Sequence, residues 1–356
     1  MRAASLILAF ASASAASSAA PPQPLPEAAI AARAEAAMLG GLLADAAAMP
    51  LHWIYDVNEI ARLVGNGEPE FYKTPSCPFY KYKSGDSTPY GQQFQAYLSV
   101  GGASGAFAPA DVEKAYAALY GAAPAYWYKD ASTKEFLQNE ANGQHWPSCG
   151  GNDNQADAIV HALPVVALWA GRNTSAMLAA ADRVIRVTQN TDEGAAFGLA
   201  SARLLEYVVA YNLSGAGLLS AVIADLRSPS RASPYAADAA LADGLQNALD
   251  KIAQPNMAFV QAVGQSCDYP FNLWTGAHLI AQLGASAADF LSGARQTILA
   301  GGDSGSRSFF VGAAQGARLG SVGALPAAWK TKANEYAAAA PLAHAIVAAR
   351  SGLPTL

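Results

Sequence analysis

A chain of 356 residues with 52% hydrophobic and only 14% charged side chains has the material for a sizeable core and is too apolar for intrinsic disorder. Its 22 basic and 27 acidic residues give a formal charge of -5, and no basic run or basic-aromatic stripe marks a nucleic-acid-binding surface. The three cysteines, Cys77, Cys149 and Cys267, are too few for a disulfide scaffold and match no zinc spacing. One bridge with a free thiol and three reduced thiols are both open.

Residues 1–26 read as a leader. One arginine, a short apolar core from Leu6 to Phe10 and small residues offering A-x-A sites such as Ala13-Ser14-Ala15 point to a secretory signal peptide, cleaved between Ala13 and Ala20. The lack of acids before Glu27 leaves an organelle transit peptide as the alternative, and a disordered leader as the plain one. In a secreted chain, Asn173 and Asn212 stand in glycosylation acceptor sequences, although Asn173 also suits the cap of a helix beginning at Thr174.

Residues 27–356 read as one helical domain. An alanine-rich helix is predicted from Glu27 to Met49, stopping before Pro50. Residues 64–110, rich in Gly, Pro, Ser and Tyr, are expected to form a long functional loop. Helices are predicted near 111–120, at 158–171, at 174–190 and 192–212, and near 214–227, 234–252 and 272–283. The 158–171 stretch is too short to span a bilayer and suits a buried core helix, so no membrane span is expected beyond the leader. Ser286 and Asp289 have capping-box spacing ahead of a helix that Gly301-Gly302 ends, with Phe290, Leu291, Ala294 and Ile298 on one face. Further helices are expected at 325–338 and 341–350. Period-two β-branched runs are missing, so the fold class is all-α. Gly312, Gly316 and Gly320 recur every four residues and should let another helix approach closely.

Four polar stretches sit at helix ends. In the first, Asp45 lies within an apolar helix, followed by His52-Trp53. In the second, Ser84, Asp86, Ser87 and Thr88 supply hard oxygen ligands of the kind Mg²⁺ accepts, or simply a turn. In the third, Gly150-Gly151 and Asn152, Asp153, Asn154 and Gln155 precede a helix, where backbone N–H groups attract phosphate and Asn or Asp can cap. In the fourth, Gly301-Gly302 deliver Asp303 to the start of the last long helix.

Their order resembles that of the ADP-ribosylglycohydrolase family, in its crystallin J1-like branch. The family's G-D-A-x-G-x-P-x-E-[FW] is matched by "ADAAAMPLHW" with Asp45, Pro50 and Trp53, its T-D-D-T by "SGDS" at 84–87, and its G-G-D-x-D-[ST] by "GGDSGS" at 301–306. "GGNDNQADAIVHALPVVAL" and "TQNTDEGAAFGLASARLLE" look like the branch's middle segments. The resemblance implies an orthogonal multi-helix bundle with two Mg²⁺ ions at a cleft, and hydrolysis of the glycosidic bond between ADP-ribose and an acceptor. It places Ser84, Asp86, Asp303 and Ser306 at metal-ligand positions and makes Asp303 or Asp86 the general base. Asp45, Gly150, Gly151, Asn152, Asp153, Gly301 and Gly302 become substrate-binding candidates. Both glycine pairs are expected to approach a pyrophosphate, and Tyr82, Tyr90 and Trp146 to stack on adenine.

Three departures weaken that implication. Gly85 stands where the second motif has its first aspartate, Gly305 where the last motif has its second, and His52 where the family often has glutamate. One weak cation or none is the expected occupancy, and a non-catalytic crystallin-like or ADP-ribose-binding protein is the alternative function. Restoring the acids at 85 and 305 should rebuild a metal site.

Overall fold

The alanine-rich opening stretch is helix α1 (Glu27–Ala48), and Pro50 turns its end into a short 3-10 segment, Met49–Leu51. The computed structural model describes residues 23–353, so the expected cleavage sites lie outside the described residues. After α1 come α2 (Val57–Val64), α3 (Pro89–Ser104), α4 (Pro109–Ala122), α5 (Ala131–Ala141), α6 (Ala158–Trp169) and α7 (Thr174–Ile185). They are followed by α8 (Asp192–Tyr211), α9 (Gly215–Leu226), α10 (Asp238–Asp250), α11 (Asn256–Val263) and α12 (Phe271–Gln282). The chain closes with α13 (Ala287–Leu299), α14 (Ser304–Leu319), α15 (Ala327–Lys332) and α16 (Tyr336–Ala349). Among the described residues no strand forms, only isolated bridges, so the fold is all-α.

Helices α1 and α14 form the axis on which the site is built. A Cβ added at Gly312 would stand 2.4 Å from the Ala44 Cβ, and one at Gly316 would stand 2.2 Å from the Ala36 carbonyl oxygen. A Cβ on Gly40 would meet the Gly312 oxygen at 2.6 Å. Bare backbone therefore lets the two helices touch, as the four-residue glycine spacing predicts. Gly320 has a separate job, ending α14 in the left-handed conformation at φ 81°. The pairing of 36 with 316 and of 44 with 312 makes the helices antiparallel. The Asp45 end of α1 thus lies beside the Asp303 end of α14.

One buried apolar cluster extends from Ile30 to Val347. Arg350 ties the two ends of the chain together, donating at 2.7 and 3.0 Å to Glu27 and to the carbonyls of Ala167, Leu168 and Ala170. Glu27–Leu51 is long and apolar enough to cross a membrane, but 94% of its apolar window is covered by the rest of the protein.

Several expectations need correction. The long loop at 64–110 contains α3, capped by Thr88 with Pro89 at its first turn. Its glycines hide it from propensity, yet they serve packing: a Cβ at Gly91 would fall 2.3 Å from Asp45 Oδ2, and one at Gly102 2.8 Å from Leu342. The segment expected as one helix at 325–338 is split, with α15 ending at Lys332 and α16 beginning at Tyr336 and carrying Pro341 inside. Helices α2, α5 and α11 fall outside the segments expected to be helical. The Ser286–Asp289 capping box forms as predicted. All three cysteines are unpaired.

Candidate functional site

Asp303 is the N-cap of α14 and is fully buried. Its Oδ2 accepts hydrogen bonds from Tyr90 Oη (3.0 Å), Asn272 Nδ2 (2.7 Å) and Ser306 Oγ (2.6 Å), and its Oδ1 accepts the Ser306 N–H at 3.3 Å. Burial raises the Asp303 carboxyl above its ordinary range, opposed by the Ser306 hydrogen bond and the Arg307 charge. Asp303 and Ser306 therefore meet as the motif suggests, and Tyr90 and Asn272, which sequence reasoning missed as partners, complete the shell.

His52 arrives beside them because residues 53–54 are clamped to the start of α14. The Trp53 N–H donates to the Gly302 oxygen at 2.8 Å, and the Gly302 N–H donates to the Ile54 oxygen at 2.7 Å. The buried His52 ring receives the Gly305 N–H on Nδ1 at 2.9 Å and stacks on Trp53 with centroids 4.4 Å apart. Burial, helped by Arg307, holds its pKa well below the usual value, so the imidazole is neutral. Since Nδ1 accepts, the proton is on Nε2, which has no partner.

Asp45 is also fully buried and accepts the Thr88 N–H (2.9 Å) and hydroxyl (2.5 Å). Burial pushes its pKa up to about 8, and Glu335 and Asp303 add like charge. It fastens α1 to the start of α3. Asp86 faces elsewhere: its Oδ2 accepts the Lys83 N–H at 2.8 Å and its Oδ1 accepts Asn334 Nδ2 at 2.7 Å. Ser84 is half-buried in the same turn. Gly85 has φ +100°, its oxygen accepts the Asn334 N–H at 2.9 Å, and a Cβ there would lie 2.2 Å from the Lys332 oxygen.

Three of the four glycine N–H groups, those of Gly151, Gly301 and Gly302, are already donated to backbone carbonyls and are not free for a pyrophosphate. The N–H groups of Gly301, Gly302 and Asp303 donate to Ile298, Ile54 and Gln265 oxygens. Gly151 N–H donates to Thr188, and Asn152 N–H to Glu135 at 2.8 Å. A Cβ at Gly150 would strike the Arg186 oxygen at 2.3 Å, so this glycine serves contact with the end of α7.

Asp153 belongs to a second acidic group. With Asp130 and Asp157 it brings three buried carboxylates within 4.8 Å of one another. Ser132 donates to Asp153 (2.8 Å, N–H) and Asp157 (2.9 Å, hydroxyl), Gln93 bridges Asp130 and Asp157, and His161 donates to Gln93 at 2.7 Å. Glu113, Glu140 and His145 form a more exposed group of the same size. Both are close enough in geometry to hold a cation.

The solvent side of the site is aromatic. A cavity of about 130 Å³ is lined by Trp53, Tyr55, Phe79, Tyr128, Gln155 and Cys267, and an adjoining one of about 530 Å³ by Trp53, Tyr55, Phe79, Asp56, Glu59 and Pro78 among others. Asp303 is near enough to oppose ionisation of Tyr55 and Cys267, both already disfavoured first by burial. The aromatic residues expected to stack are placed differently. Tyr90 is spent on Asp303, Tyr82 lies under Tyr80 with its hydroxyl held by the Tyr128 N–H, and Trp146 stands by Glu113.

The implied Mg²⁺ pair does not fit these residues. Asp303 Oδ2 already takes three donors and each Asp45 oxygen takes one from Thr88, Asp86 is turned to Asn334, and the places of two further acids are filled by His52 and by the Lys332 backbone.

An all-α bundle whose first and last polar motifs meet at the α1–α14 junction is the architecture to be placed. Among solved structures it is similar to an ADP-ribosylglycohydrolase-related protein complex, with TM-score 0.64, 19% identity, and coverage of 90% of this chain and 99% of the other. The family profile described as ADP-ribosylglycohydrolase matches residues 26–354, and the chain belongs to that family. Among curated proteins it is similar to crystallin J1B of Tripedalia cystophora, 26% identical over 83% of this chain and 90% of the relative. It is also similar to crystallin J1A of the same organism, 25% identical over 85% and 92%.

Proposed function

We propose that this chain binds an ADP-ribosyl or related nucleoside-like ligand in the aromatic cleft above Asp303, and does not cleave it by the two-Mg²⁺ route. The observation that supports this is the placement of Asp45 and Asp303. Both are fully buried and hydrogen-bonded, and Asp303 lies close to Tyr55 and Cys267 of a cleft walled by Trp53, Tyr55, Phe79 and Tyr128. Flat aromatic walls suit a planar base, and the spent N–H groups give a pyrophosphate no cradle. ADP-ribose and adenosine should therefore raise the thermal midpoint alike, and ribose alone much less. ADP-ribosyl-arginine and ADP-ribosyl-serine should release no ADP-ribose with or without Mg²⁺. No shift with any ligand at saturation would leave a structural role, in keeping with the crystallin relatives' name.

A hydrolase reading has one observation in its favour. The Asp303 carboxyl has a raised affinity for protons, caused first by burial, as a general base requires. Release that ignores Mg²⁺ and vanishes in Asp303→Asn would establish that reading.

A further inference from the structure

We propose that His52 and Gly305 are a coupled replacement: the imidazole has taken the space of the side chain that the last motif carries at position 305, leaving a site that binds no divalent cation there. The inference concerns metal and side-chain space, and holds whichever ligand occupies the cleft.

Gly305 lies inside α14, where glycine is a poor helix former, costing roughly 1 kcal/mol against alanine. It does not have a positive φ, so conformational freedom does not explain it. Space does. A Cβ there would meet His52 Cε1 at 2.9 Å, His52 Nδ1 at 3.0 Å and Thr88 Cγ2 at 3.0 Å. The ring cannot swing aside freely: it is fully buried, stacked on Trp53, edge-on to Tyr90 with centroids 6.0 Å apart, and pinned by the Gly305 N–H. Glycine at 305 and histidine at 52 therefore need each other.

Two further observations bear on the cation. Asp303 Oδ2 faces three donors, from Tyr90, Asn272 and Ser306, where a metal ligand would turn its lone pairs toward an ion. The second missing acid is blocked independently, since position 85 combines φ +100° with the Lys332 oxygen 2.2 Å from any Cβ. Unpartnered at the site are the neutral atoms His52 Nε2, Trp53 Nε1, Asn272 Oδ1 and Ser304 Oγ, together with Nε of the Arg307 guanidinium, whose positive charge itself opposes a cation. These atoms match water or a ligand hydroxyl in place of an ion.

The test is a thermal-shift titration of the full chain with Mg²⁺ and Mn²⁺, without nucleotide. The natural chain should show no shift at millimolar metal that Asp303→Asn removes. Gly305→Asp alone should lower the midpoint by at least about 2 °C and stay insensitive to metal. His52→Ala with Gly305→Asp should regain part of that loss and show a metal-dependent rise. Gly305→Ala in the natural and His52→Ala backgrounds isolates the steric term, and its penalty should shrink when the ring is gone. A metal-induced rise in the natural chain that Asp303→Asn abolishes would overturn the proposal. So would a Gly305→Ala penalty unchanged by His52→Ala, or a folded His52→Ala/Gly305→Asp chain indifferent to metal. If that double variant fails to fold, the alanine cycle still decides the coupling.

Discussion

Thr88 holds Asp45 with two hydrogen bonds, its N–H on Oδ2 and its hydroxyl on Oδ1, and so docks the start of α3 against the buried end of α1. The same hydroxyl oxygen accepts the Tyr90 N–H as the α3 cap. Thr88→Ala should therefore cost about 2–3 kcal/mol, through a lost cap and a buried carboxyl left short of a donor. Urea unfolding measures it, and a cost below about 0.5 kcal/mol would show that Asp45 does not depend on this contact.

The pH dependence has a definite sign. Asp45, pushed up to about 8 by burial, binds a proton when folded over a range where the unfolded chain has lost it. Its stabilising contribution is complete below the unfolded carboxyl range and is lost as pH rises toward 8. Below about 6.5 the buried His52, with its depressed pKa, works the other way, since the unfolded chain gains protons there. Between pH 6.5 and 8 the Asp45 effect is separable from that opposing one. Stability should fall by at most about 1.4 kcal/mol per pH unit from this group, and Asp45→Asn should flatten the slope. Denaturant midpoints at pH 6.5, 7.25 and 8 would reveal it.

Glycines at contact and glycines in the open should respond in opposite directions. Gly316→Ala drives a methyl into the Ala36 carbonyl and should cost about 1–3 kcal/mol. Gly217, in α9, has nothing within 4 Å of an added Cβ, and Gly217→Ala should stabilise by about 0.5–1 kcal/mol. Thermal unfolding of the two variants side by side checks the pair.

Asp86 gives the simplest discrimination among the motif acids. Its carboxylate closes a turn with Lys83 and ties it to Asn334. Asp86→Asn should leave any nucleoside-induced midpoint shift intact, whereas Trp53→Ala should abolish most of it by removing a wall of both cavities. Loss of the shift in Asp86→Asn would return Asp86 to the ligand site.

Much of the architecture was legible because alanine-rich, periodic segments carry their own caps: Ser286 with Asp289, and the Asn173 cap of α7. Helix α3 was not, because its Gly91, Gly101 and Gly102 lower helix propensity for the sake of tertiary contacts that a single sequence does not display. Its Thr88-Pro89 start was the available signal. At the site, the motif order placed Asp45 and Asp303 at one junction. It did not reveal that Asp86 faces Asn334, nor that Tyr90 and Asn272 serve Asp303, since those partners lie far away along the chain. The glycines at 85 and 305 read as missing acids. The structure adds what stands in their place, the Lys332 carbonyl and the His52 ring, and so reverses the expectation that restoring the acids alone rebuilds a metal site.

The α1–α14 contact also sets a timetable for synthesis. Helix α1 leaves the ribosome more than 250 residues before the glycine face it needs, at Gly312 and Gly316. For most of translation α1 has no native neighbour for that face, and its apolar length must be shielded by other contacts or by chaperones. A chain halted before residue 300 contains Asp45 and His52 but cannot assemble their junction. The site is therefore assembled only once α14 has been made, and termination before it yields an exposed alanine-rich helix with no site attached.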